Sequence, residues 1–228
     1  MYRNAACHRV DEEFGILLDD RPVITPGKKP LRVPSRALGE AVTAEWNAQL
    51  EWIVPSSMPL TLIANTALDR IAGRERMIVE EAVRYAENEL VCYRAESGSA
   101  LAEREEKRWQ PVLDWLADRH GVKLIVTSGL VHVEQPSEAL ETLTVILSRM
   151  TVPELTALQC ALAASGSLAL ALALLGSQID GNELFELSQL EETWQIERWG
   201  EDEEAALRRT ALRADALAVA DYLELARR

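Results

Sequence analysis

The sequence predicts an α+β fold: a small strand-rich N-terminal domain capped by a helix, followed by a multihelical C-terminal domain. Short apolar runs separated by Asp, Pro and Gly fill residues 14–33, which is strand and turn patterning. From Ser35 onward the apolar spacing changes to helical period. Beyond Pro136 almost everything reads as helix, including an uncharged stretch from Ala157 to Leu175. The boundary is placed after residue 57, giving a strand-rich domain with its capping helix over 1–57 and a bundle over 58–228.

Residues before Phe14, His8 among them, read as an N-terminal arm. Phe14–Leu18 is the first strand, Asp19-Asp20-Arg21 a turn and Pro22–Thr25 the returning strand. Pro26-Gly27-Lys28-Lys29 then turns the chain into Pro30–Val33. Ser35 is a plausible N-cap for a helix that carries Leu38, Val42, Trp46 and Leu50 on one face. Pro55 to Pro59 interrupts it. Leu60–Ile71 is a second helix, closed by Gly73, and Arg74 to about Leu90 a third. A helix beginning near Ala100 meets Pro111, which lacks an N–H and crowds the preceding turn, so a break or kink is expected between Trp109 and Val112. Lys123–Val126 and Leu130–Val133 read as a two-strand element around Ser128-Gly129. Helices are expected at about 137–150, 153–175, 181–199 and 202–226, stacked as a bundle.

A chain of 228 residues, 48% hydrophobic and 27% charged, can bury a sizeable core. Its net charge of −13 opposes binding to nucleic-acid backbones and stable insertion at anionic lipid, both of which need a cationic face. Cys7, Cys92 and Cys160 are far apart and follow no C-x-x-C spacing, which fits a reducing compartment. The first residues carry neither a secretory nor a transit pattern, so the chain reads as cytoplasmic and bacterial. The 157–175 stretch is mostly Ala and lacks flanking Lys/Arg asymmetry; it reads as a buried helix rather than a membrane span.

Neither a glycine-rich phosphate cradle nor H-E-x-x-H nor G-x-S-x-G occurs. His8, His120 and His132 stand in unrelated contexts, and Cys92 and Cys160 read as core cysteines. No catalytic residue, metal ligand set or cofactor motif is assigned. One position stands out instead. On a helix from Glu183 to Trp199, Leu184, Leu187, Leu190 and Trp194 form one stripe, and Glu191 falls inside it. A carboxylate there must be exposed, hydrogen-bonded or paired, with Gln195 and Arg198 on nearly the same face. It is either satisfied internally or kept at an apolar surface to meet a partner's donor. The acidic run Glu201–Glu204 suits a helix N-terminus. Arg21, Lys28, Lys29, Arg32 and Arg36 cluster in the strand region, a charge polarity that could orient a partner.

The stretch Leu187-Ser188-Gln189-Leu190-Glu191-Glu192-Thr193-Trp194-Gln195-Ile196-Glu197-Arg198-Trp199-Gly200 resembles the C-terminal signature of the F-type ATP synthase assembly chaperones that hold the free alpha subunit. Gly15 to Pro34 with its Leu18-Asp19-Asp20-Arg21-Pro22 core, Ala44 to Gln49, Met58 to Thr61, Ala64 to Arg70, Tyr85 to Ala95, Glu134 to Pro136 and Gly166 to Leu168 resemble further stretches of that family, in order. The resemblance implies an ATP-independent, non-enzymatic chaperone without cofactor, which binds the alpha subunit until beta replaces it; organellar relatives work in the mitochondrial matrix. It marks Glu191 and Trp46 as positions linked to function, with Trp194, Gln195 and Arg198 beside Glu191 as partner-binding. From its own helix face Trp46 reads as core. Thr193 and the acidic run after Gly200 depart from the pattern of some members. A rival reading is an enzyme of unrecognised type, with a cleft between the two domains near Glu191. Another is a structural subunit that stays in the assembled complex. A monomer is expected.

Overall fold

Strand β2 (Glu13–Leu18) organises the N-terminal sheet. On one side it runs antiparallel to β1 (Ala5–Val10), with Ala5 opposite Leu18 and Val10 opposite Glu13. Its other edge pairs with β3 (Arg21–Pro22) and β4 (Arg32–Val33). The computed structural model describes residues 2–129 and 132–228. Asp19 and Asp20, with φ of 46° and 66°, make the link from β2 to β3 in the left-handed conformation that short Asp side chains tolerate. The expected strands from Phe14 onward are present. The supposed N-terminal arm is β1; Ala and Cys carry little strand preference, and pairing with β2 supplies what local propensity does not.

Helix α1 (Arg36–Asn47) starts where expected, with the Ser35 hydroxyl accepting from the Leu38 amide at 3.0 Å. It lies on the sheet, where Leu38 and Val42 join Ala5, Ile16, Leu31 and Val33 in the core. The approach is close: a Cβ on Gly39 would come within 2.6 Å of the Cys7 sulfur. Leu50, however, does not belong to this helix face. The helix ends at Asn47, and the Gln49 side chain shapes the following loop by accepting from the Val54 amide at 2.8 Å and donating to the Glu45 carbonyl at 3.0 Å. Leu50 (81% exposed) and Trp52 (79%) therefore project into solvent. Helix α2 (Pro59–Thr66) continues into a π-helical turn at Ala67–Ile71, and Gly73 follows in the left-handed region with φ of 84°. These residues up to Glu75, with Thr151–Ala157 and Ala218–Arg228, form one compact unit.

The second unit comprises Arg76–Met150 and Leu158–Leu217. After the first unit's α1 and α2 the chain forms α3 (Glu75–Glu87), β5 (Tyr93–Arg94), α4 (Ala100–His120), β6 (Thr127–Ser128), α5 (Ser137–Leu147), α6 (Val152–Ser165), α7 (Leu168–Leu175), α8 (Gly181–Ser188), α9 (Leu190–Trp199) and α10 (Glu203–Arg227), of which the start of α6 and the end of α10 belong to the first unit. All eight residues of α7 are buried. Among the described residues no helix is long and apolar enough to cross a membrane.

Four expectations change here. Helix α4 runs unbroken through Pro111. Pro111 and Lys107, whose carbonyl loses its helical donor, are both exposed, so water can take that carbonyl, while Trp109, Val112, Leu113 and Leu116 anchor the turns on either side. The expected helix over 153–175 divides at Gly166, which caps α6 with φ of 71° before Ser167 caps α7 by accepting from the Leu170 amide at 3.0 Å. Residues 123–126 are not a strand. The Gln135 side chain takes both backbone groups of Ile125, at 2.7 and 3.0 Å, and β6 pairs instead with β5 in parallel. Of the second expected strand there, Leu130 and Val131 lie outside the described residues. The helix expected over 181–199 also divides, with consequences for the site.

Candidate functional site

Helix α8 opens with a capping box, Asp180 accepting from the Glu183 amide at 2.8 Å and Glu183 from the Asp180 amide at 3.0 Å. It ends because the buried Trp109 indole of α4 donates to the Leu187 carbonyl at 2.9 Å, the acceptor that a continuous helix would offer to the Glu191 amide. The chain turns at Gln189, and α9 begins afresh at Leu190. Leu184, Leu187 and Leu190 are buried as the stripe requires. Glu191, in the first turn of α9, is exposed.

One side of Glu191 meets a carboxyl that sequence reasoning did not single out. Glu105 of α4 is 0% exposed, its Oε2 accepts from the Ala95 amide at 2.7 Å, and the Glu191 carboxyl stands within hydrogen-bonding reach of it. Burial pushes the Glu105 carboxyl up to about 7; the Ala95 amide and the Arg94 guanidinium oppose that rise and the Glu191 carboxyl adds to it. The signal was present in the sequence. Glu105 shares a stripe with Trp109, Val112 and Leu116 at steps of four, three and four, the same anomaly that flags Glu191.

Along α9 the other expected residues follow. Trp194 is half-buried, with the Arg198 guanidinium 3.2 Å above its ring centre and Arg104 at 5.6 Å. Arg198 also donates to the Trp194 carbonyl at 3.2 Å, so it is stacked rather than paired with Glu191. Arg104 grips Glu197 through two hydrogen bonds of 2.6 and 2.9 Å. Gln195 is exposed, and at the end of the helix Trp199 stands 76% exposed. A cavity of about 280 Å³ lies beside this helix, lined by Arg104, Arg108, Phe185, Leu190, Thr193 and Arg209.

Trp46 belongs to α1 in the other unit. It is half-buried, its ring stands edge-on to Tyr2 at 6.0 Å between centres, and its carbonyl accepts from the Tyr2 hydroxyl. Its indole nitrogen is buried without a partner. The polar residues of the motif stretches act as clamps between segments. Glu45 caps α2, accepting from the amides of Leu60 (2.7 Å) and Thr61 (2.8 Å). Asn47 takes both backbone groups of Ala5, at 2.8 and 3.0 Å. Asp69 accepts from the Thr25 hydroxyl (2.8 Å) and the Gly27 amide (2.7 Å). Glu89, fully buried, accepts from the Ser167 hydroxyl and from the Leu168 amide at 2.9 Å. Glu191 differs from Glu45, Asp69 and Glu89 in being exposed.

The thiols of Cys92 and Cys160 are pushed up by burial to about 12 and about 11, which keeps both as unreactive thiols at neutral pH. Among the described residues no group of three His, Cys, Asp or Glu side chains is placed to hold a metal ion.

Comparison with known proteins places this geometry among relatives. The family described as ATP12 chaperone protein matches residues 1–117. The mitochondrial protein atp12 of Schizosaccharomyces pombe is 22% identical over 216 residues, covering 90% of this chain and 74% of its own. The crystal structure of Atp12 from Paracoccus denitrificans superposes with a TM-score of 0.92 at 34% identity, over 99% of this chain and 97% of that one. The Atu1473 protein from Agrobacterium tumefaciens gives 0.90 at 40% identity, over 98% and 84%.

Proposed function

We propose that this chain, which belongs to the ATP12 chaperone family, is an assembly chaperone of the F-type ATP synthase that holds the free alpha subunit until beta replaces it. The observation that carries the reading is the exposed carboxylate of Glu191, set on a helix whose neighbouring surface offers Trp194, Gln195, Arg198 and the exposed Trp199. Aromatic and arginine side chains around one charged group make the kind of surface that anchors a protein partner. In the other unit, the loop that projects Leu50 and Trp52 adds apolar area of the kind that marks interaction sites.

A subunit taken from a ring exposes interfaces its neighbours would cover, and those drive aggregation. A placeholder needs an affinity above that of self-association and below that of the authentic neighbour. Such a role uses binding energy alone, so the protein acts without nucleotide hydrolysis or cofactor, as a monomer in the bacterial cytoplasm. Trp46 supports the reading indirectly, by holding α1 against Tyr2.

Co-expression with separately produced alpha and beta subunits tests the proposal. Selective capture and solubilisation of alpha, weakened by Glu191→Lys, is the expected result. Capture of beta alone, or of neither subunit, overturns it.

A further inference from the structure

An ionised carboxylate only accepts hydrogen bonds, so two of them within mutual reach repel and satisfy neither. Glu105 and Glu191 present this arrangement. Oε2 of Glu105 is satisfied by the Ala95 amide, its Oε1 is buried with no donor, and the Glu191 carboxyl stands within hydrogen-bonding reach of the group. One shared proton resolves the conflict, since it turns one acid into a donor to the other.

Among the described residues, the surrounding cations give their hydrogen bonds to other groups. Arg94 of β5 directs its guanidinium at the Glu105 backbone carbonyl, at 2.8 Å, and is attracted by both Glu106 and Glu105. Arg104 holds Glu197, Arg108 holds Glu186 at 3.0 Å, Arg208 holds Glu192 at 3.4 Å, and Arg198 lies on Trp194. Residues 90–92 bring Cys92, a neutral thiol, and α7 carries no ionisable side chain. A buried, oriented oxygen and an exposed one therefore stand side by side, with Arg94 attracting the Glu105 carboxylate through space but giving its hydrogen bonds to the Glu105 backbone carbonyl and Gln110.

We propose that Glu105 and Glu191 form a single recognition site for a cationic side chain, arginine or lysine, of the client, and that the cation enters by displacing the proton the two carboxyls share. The inference rests on reading the Glu191 face as the client-binding surface. The N–H donors of the incoming cation take over both oxygens, and the proton leaves to solvent. Glu191 gives access, and Glu105 supplies the second acceptor, which suits a bidentate guanidinium better than an ammonium. Binding is then linked to proton release and strengthens as pH rises through neutrality.

The test follows the side-chain carboxyl carbons of the full-length protein by NMR titration, with N-acetyl-arginine amide as probe, and measures proton release on alpha-subunit binding by calorimetry in two buffers. The expected result is a carboxyl titrating near 7 in the free protein, moved downward by the probe more than by equal sodium chloride. Alpha binding at that pH releases about half a proton, and Glu105→Gln, which keeps both hydrogen bonds, abolishes the release. Glu191→Gln lowers the Glu105 value, while burial still holds it above the ordinary carboxyl range. Two carboxyls titrating in the ordinary range, or a probe without differential effect, overturn the dyad. Alpha binding with unchanged proton release in Glu105→Gln overturns it too while leaving the chaperone reading intact. If alpha is not captured, the chaperone reading fails and the probe titration alone decides the dyad.

Discussion

The buried carboxylate of Glu89 accepts from the amide of Leu168 at 2.9 Å, at the start of the wholly buried helix α7. It also accepts from Ala169 at 3.1 Å and from the Ser167 hydroxyl, so one side chain satisfies the helix end that carries the centre of the second unit. Glu89→Ala leaves those donors buried without acceptors. The expected loss is on the order of 3–5 kcal/mol in urea unfolding. A loss below about 1 kcal/mol would show that water or a shift of α7 replaces the carboxylate.

Glu191→Lys is expected to leave the protein folded, because the position is exposed and the new ammonium can pair with Glu105. The melting temperature should stay within about 3 °C of wild type while capture of the alpha subunit is lost. A variant that unfolds would make Glu191 a structural residue.

The pair should also shape the pH dependence of stability. Glu105 holds its proton up to about 7 in the folded chain, against an ordinary value of 4.5. Between these values the folded state binds more protons than the unfolded one, so this contribution is complete below 4.5 and is lost as pH rises through about 7. Glu105→Gln should flatten that fall. Unfolding curves of equal slope against pH in the two proteins would contradict it.

At Trp46 size and polarity can be separated. Trp46→Arg places a charge beside Tyr2 in a half-buried site and is expected to cost about 2–4 kcal/mol. Trp46→Phe removes an indole nitrogen that has no partner, so its cost should stay below about 1.5 kcal/mol. Loss of alpha capture by a folded Trp46→Phe variant would move Trp46 from support to contact.

Gly27→Ala tests the clamp on the 25–28 turn. A Cβ there would fall 2.4 Å from Oδ1 of Asp69, whose carboxylate holds the Gly27 amide. Thermal unfolding should show a loss on the order of 1–3 kcal/mol, largely cancelled in an Asp69→Ala background, where the obstruction and the hydrogen bond are both absent.

Sequence alone determined the α+β class, the Asp19-Asp20 turn, the Ser35 cap and the anomaly at Glu191, because each depends on local chemistry or on the period with which side chains face one way. Tertiary structure decided what those periods do not encode. Pro111 remains inside α4 because buried residues hold the turns on both sides of it. The stripe from Leu184 to Trp194 divides because an indole 78 positions away takes the Leu187 carbonyl. The motif polar residues are clamps whose partners lie up to 80 positions away, as with Glu89 and Ala169. Helix periodicity shows that Glu105 and Glu191 each interrupt an apolar face; only the packing of α9 beside α4 brings the two carboxyls together, since the partner of a buried polar group is fixed by the fold and not by its neighbours in sequence.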